Sequence, residues 1–172
     1  MNLNYKELIP LDFNDTSRVW IYQANRSFSL EETALVKAKL AQFVQEWRSH
    51  GERVKGFAQL FFDQFIVIMA DESATGVSGC STDSSVRVMK EIEQEFNVPL
   101  FNRQSLAFLI NNEVKLVALT NLNEAVNANL LDGNTLYFNN TVLSKHELME
   151  NWIILVKDSW LGKRIKAKEL TS

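Results

Sequence analysis

Residues 54–70 read VKGFAQLFFDQFIVIMA. Val54 to Phe62 and Phe65 to Ala70 are two runs rich in β-formers, and Asp63-Gln64 between them marks a tight hairpin. The second run has no polar alternation, as a strand covered on both faces or lying centrally in a sheet requires. Upstream, Val36, Leu40, Phe43, Val44 and Trp47 recur at helical spacing. Ser29 with Glu32 is a capping box for that helix, each side chain satisfying an orphan backbone N–H. Gly51 is its expected stop, which puts His50 in the last turn, where a cation suits the dipole. Arg18 to Ala24 reads as a first strand.

Downstream, a small-residue loop from Ser73 to Ser81 leads to a second helix from about Asp83. Its apolar face is Val86 or Val88, Met89, Ile92 and Phe96, and Asn97 with Pro99 ends it. Leu106 to Ile110 and Val114 to Ala118 flank Asn111-Asn112, a second hairpin. Thr120 is the expected cap of a short helix through Leu130. Asp132-Gly133 turns the chain into a strand at Thr135 to Phe138, Ser144 with Glu147 is a second capping box, and Trp152 to Val156 is the last strand. This order mixes hairpins with crossovers. It predicts an α+β fold: a single domain over residues 1–172, with a largely antiparallel sheet, helices packed on it, and a first half compatible with a ferredoxin-like arrangement.

The chain has 172 residues, 46% of them hydrophobic and 23% charged, the composition of an ordinary globular protein. The longest uninterrupted apolar run, Phe65 to Ala70, falls far short of the roughly 20 residues that span a bilayer. The N-terminal stretch lacks the apolar core of a signal peptide. With a single cysteine, Cys80, no disulfide forms within the chain, which fits a reducing, cytoplasmic compartment. The net charge of −3 recruits no nucleic acid through a global basic field. Lys157, Lys163, Arg164, Lys166 and Lys168 stand against Asp158 and Glu169 in the last residues. The expectation there is a solvated, frayed basic tail (157–172), the alternative a docking segment for an acidic partner.

The densest chemical signal is the segment from Asp71 to Arg87. A Gly/Ser loop opening a helix presents free backbone N–H groups at the positive end of the dipole, which suits an anion. A cysteine there has its thiolate favoured. Gly79, Cys80, Ser81, Asp83 and Arg87 are therefore the candidate ligand-binding residues, with Cys80 the candidate nucleophile. The bland reading makes Thr82 or Asp83 an N-cap and Cys80 a small buried hydrophobe. Asn25-Arg26 after the first strand suits a turn and a surface position better than a site. Asp71 and Glu72 could meet a metal with Asp83 only if the fold converged them; no metal and no cofactor is called for. Phe57, Phe61, Phe62, Phe65, Trp20, Tyr22 and Trp47 are core, or a partner surface if one face of the hairpin is open.

Through VWIYQANR (Val19 to Arg26), FDQFIVIMADE (Phe62 to Glu72), SGCSTDSSVR (Ser78 to Arg87) and TLYFNNTVL (Thr135 to Leu143), the chain resembles a family of small bacterial proteins. Some members carry the label "ABC transporter ATPase". That label implies nucleotide hydrolysis, yet the sequence has no G-x-x-x-x-G-K-[ST] phosphate loop. The resemblance supplies no catalytic residues. Two expectations follow: a non-catalytic binding or interaction protein, with self-association or a protein partner, or a small-molecule enzyme or sensor built on the Cys80 loop.

Overall fold

The computed structural model describes residues 2–71 and 79–169, without the side chains of 79–82 and 166–169. The chain is α+β, with antiparallel strand pairing throughout its sheets. It divides into two compact units, Asn2–Phe101 with Val142–Met149, and Asn102–Thr141 with Glu150 onward.

The first unit runs β1 (Arg18–Gln23), α1 (Leu30–Glu46), β2 (Arg48–Ser49), β3 (Glu52–Arg53), β4 (Lys55–Phe61), β5 (Phe65–Asp71) and α2 (Gly79–Phe96). The β4–β5 hairpin is the one predicted, and its second strand is central: the sheet order is β1-β5-β4. A helical crossover followed by a hairpin strand inserted beside β1 matches the opening of a ferredoxin-like sheet. Residues 143–144 hold the place on the far side of β1. The Val19 N–H donates to the Leu143 carbonyl at 3.0 Å, and Arg18 bridges Ser144 antiparallel.

Alternate residues of this sheet face opposite layers. Leu60, Ile66, Ile68 and Ala70 join Val36, Leu40 and Phe43 of α1 and Met89, Ile92 and Phe96 of α2 in one core. On the other face Tyr5 meets the Phe61 ring edge-on at 6.3 Å, and its hydroxyl donates to the Leu148 carbonyl at 2.9 Å. Ile9 and Phe13 of the same N-terminal stretch are buried. Among the aromatics, Tyr22, Trp47, Phe61 and Phe65 are buried, while Trp20, Phe57 and Phe62 are half-buried.

The capping box of α1 is formed: the Ser29 N–H donates to Glu32 Oε2 at 2.8 Å, and the Glu32 N–H to Ser29 Oγ at 3.2 Å. The helix ends earlier than expected. Trp47 is its C-cap with extended backbone, and His50 (φ 50°) and Gly51 (φ 84°) instead turn the small β2–β3 hairpin. Gly51 supplies a positive φ to a turn rather than a helix stop, and His50 is exposed in that turn, outside any helix. α2 also departs from expectation, starting at Gly79, about a turn before Asp83. Its end is as read. Asn97 takes φ 51°, and the Val98 N–H reaches back to the Glu93 carbonyl at 3.2 Å, a Schellman closure.

The second unit holds β6 (Ser105–Ile110), β7 (Glu113–Ala118), α3 (Leu122–Asn127), β8 (Leu136–Phe138), β9 (Ile153–Leu155) and α5 (Trp160–Glu169), with α4 (Lys145–Asn151) crossing the division. Its sheet order is β7-β6-β8-β9. The expected sheet is thus two main sheets, each in its own unit. Asn111 and Asn112, both at positive φ, turn β6 into β7 as the sequence requires. Thr120 caps nothing: its hydroxyl donates to Asn121 Oδ1, and α3 spans only six residues. At the second capping box the Glu147 N–H donates to Ser144 Oγ, but the carboxylate accepts from the Leu143 N–H, one residue early. Residues 160–169 are helix where a frayed tail was expected, because Leu161 and Ile165, one turn apart, bury against Leu106, Phe108 and Tyr137.

Candidate functional site

Residues 72–78 of the predicted anion loop, and the side chains of 79–82, lie outside the described residues. With α2 starting at Gly79, neither Thr82 nor Asp83 is an N-cap; both lie inside the helix. Arg87 is eight residues beyond Gly79, about 12 Å along the axis at 1.5 Å per residue, more than two turns from the first described residue of the helix. The reason is local. Ser, Thr and Asp favour caps but tolerate helix interiors where tertiary packing holds them, and here Ser85, Met89 and Ile92 are fully buried along the same helix. Asp83 is exposed. The side chains of Gly79, Cys80 and Ser81 fall outside the described residues.

Arg87 does face something. It lines a groove of about 400 Å³ between the C-terminal end of α1 and the middle of α2, with Lys39, Phe43, Trp47, Arg48 and Glu91. Phe43 and Trp47 form its base, their rings 4.7 Å apart between centroids. Gly56 sits under Trp47, where a Cβ would come within 2.5 Å of the indole, so the absence of a side chain on β4 lets the ring lie flat. Arg48 is held in place by donating from Nη1 to the carbonyls of Gln45 and Trp47 at 2.9 and 3.2 Å, which satisfies orphan acceptors at the end of α1. Lys39 pairs with Glu95 at 2.8 Å. No hydrogen bond or ion pair engages Arg87 among the described residues. The groove therefore offers one free guanidinium and one fixed one above an aromatic base. Sequence spacing points to Arg87 but not to Arg48, 39 residues away and brought near only by the helix pair.

The remaining candidates have structural jobs. Arg26 makes a bidentate pair with Glu32 at 2.7 and 2.8 Å and donates from Nη2 to the Phe96 carbonyl at 3.0 Å, tying the start of α1 to the end of α2. The Arg26 contact and the capping N–H of Ser29 hold the Glu32 carboxyl down to about 2. Asn25 is exposed in the turn. Asp71, 3% exposed, accepts from Lys55 Nζ at 3.1 Å and from the Asn14 N–H at 3.3 Å. Glu72 lies outside the described residues, and no group of metal-ligating side chains converges among those described.

Sequence reasoning missed Lys145. It is buried, and its Nζ donates to the carbonyls of Phe13 at 2.6 Å and Leu11 at 3.3 Å. Lys55 donates to the Asp12 carbonyl from the other side and lies 4.7 Å from the Phe13 ring centroid. Two lysines thus pin the stretch 11–15 to the sheet. Nothing in the sequence distinguishes Lys145 from an ordinary surface lysine after a cap.

No family model, curated protein or solved structure matches this chain. No helix is long and apolar enough to cross a membrane among the described residues.

Proposed function

We propose that this chain is a non-catalytic binding protein that holds a small anionic molecule in the groove between α1 and α2. The observation that carries the reading is Arg87: a guanidinium without a protein partner, across a groove from Arg48, whose position is fixed by the carbonyls it caps. Guanidinium groups suit carboxylate and phosphate because they donate in a planar fork. A volume near 400 Å³ lies within the usual range for small-molecule sites, about 300–1,000 Å³. Pre-fixing one arginine lowers the ordering cost of binding. Glu91 and Glu46 at the rim favour a ligand of modest charge over a polyphosphate, and the absence of a phosphate loop argues the same way against the nucleotide hydrolysis that the family label implies.

Titration calorimetry with inorganic phosphate, citrate and Mg-ATP, on the full chain and on Arg87→Ala, tests this. Phosphate or citrate should bind the parent and lose at least tenfold in affinity with Arg87→Ala, with ATP no tighter than phosphate. Binding indifferent to Arg87, or none for either small anion, would remove the groove as the site. Micromolar Mg-ATP binding would restore the nucleotide reading.

A further inference from the structure

We propose that the outward face of α5 docks an acidic peptide segment of a partner protein. The last turns of the chain carry Lys157, Lys163, Arg164, Lys166 and Lys168 against Asp158 and Glu169, a local excess of three positive charges in a chain whose total is −3. The helix is anchored through Leu161 and Ile165 in the core of the second unit, so Lys163 and Arg164 stand on a packed element. Lys163 and Arg164 are exposed and have no hydrogen-bond or ion-pair partner among the described residues. They also sit in the first half of α5, where the helix dipole opposes a cation, so dipole stabilisation does not account for them.

An apolar element accompanies the charge. Trp160 is 41% exposed. Arg164 lies 5.7 Å from its ring centroid. A half-exposed aromatic beside unpaired arginine and lysine is the composition of a binding hot spot. The ten-residue helix is about 15 Å long, which matches four or five residues of extended peptide. A polyanion longer than that, a duplex or an anionic bilayer, would bring its charge beyond the patch and against a chain that is otherwise acidic. A short Asp/Glu segment carrying one apolar side chain for Trp160 meets the patch without that repulsion.

The test is fluorescence anisotropy with a labelled peptide of four glutamates and one central leucine, titrated with the full chain at low and moderate salt. The parent should bind. Lys163→Glu with Arg164→Glu should weaken binding at least tenfold, and Trp160→Ala about threefold; the milder Lys163→Gln with Arg164→Gln should fall between, with thermal melting unchanged as the control for folding. Arg87→Ala should leave peptide binding intact, which separates this surface from the groove. No binding at low salt, or binding unmoved by both charge variants, overturns the proposal. So does tighter binding to a single-stranded oligonucleotide or to phosphatidylserine vesicles than to the peptide.

Discussion

β5 and β6 are both interior strands of antiparallel sheets, yet they are buried very differently. No residue of β5 exceeds 3% exposure, whereas β6 is partly exposed at Ser105, Leu109 and Ile110. The difference lies in what covers each sheet within its own unit. Helices α3 and α5 cover one face of the second sheet. The first sheet has α1 and α2 on one face and, on the other, the irregular N-terminal stretch that buries Tyr5, Ile9 and Phe13. A helix satisfies its own backbone, but an irregular covering layer brings carbonyls into a dry place and needs donors for them. Lys145 and Lys55 supply those donors for residues 11–13. Covering the first sheet completely therefore draws on lysine donors, one of them, Lys145, itself buried.

The largest effect that would sharpen this contrast is at Trp47, on the helix-covered face of the first sheet. Trp47→Ala removes a side chain only 2% exposed and should cost about 3–5 kcal/mol by urea denaturation. Gly56→Ala alone should cost about 1–3 kcal/mol by forcing a methyl into the indole. Combined, the two should cost less than their sum, because the smaller residue at 47 makes room for the methyl. Strict additivity would mean that ring and glycine do not share one packed site.

Much of this arrangement was legible. The uniform apolarity of residues 65–70 marked a strand covered twice, and Ser29 with Glu32 marked where α1 begins, because both signals are local and specific. The end of α1 was not legible, since Gly51 serves a hairpin turn and a helix stop equally well in sequence. The start of α2 was obscured by Ser81, Thr82, Asp83 and Ser84, each an acceptable cap, when the choice depends on packing further along the helix. In the sequence the surrounding basic residues mask the spacing of Leu161 and Ile165, the available signal for α5. The groove joins residues 39–48 to residues 84–91, a juxtaposition that only the packed helix pair creates.

A smaller effect tests the donors directly. Lys145→Met keeps the length and apolar stem but removes the amine, leaving the buried Phe13 carbonyl and the part-buried Leu11 carbonyl without that donor. Hydrogen bonds involving a charged group are worth about 1.5–3 kcal/mol, and the loss should fall in that range. Amide exchange of the Asn14 N–H, bonded to Asp71, should speed up as the stretch loosens. An unchanged midpoint with unchanged exchange would show that the stretch holds its place by apolar burial alone, and the contrast between the sheets would lose its electrostatic half.

The smallest effect is expected where the second sheet meets water. Lys115 on β7 pairs with Glu113 at 2.6 Å, and the contact lowers the Glu113 carboxyl below its ordinary range. Both side chains are more than half exposed, so water already solvates each charge and the pair gains little over its separated parts. Lys115→Met should therefore leave the denaturation midpoint nearly unmoved, whereas the same substitution at Lys145 is costly. The two lysines differ in surroundings and not in chemistry, so the pair of variants isolates burial as the cause. A loss at Lys115 comparable to that at Lys145 would mean that β7 is covered in solution, and the second sheet would then need an occupant on the edge that the structure leaves open.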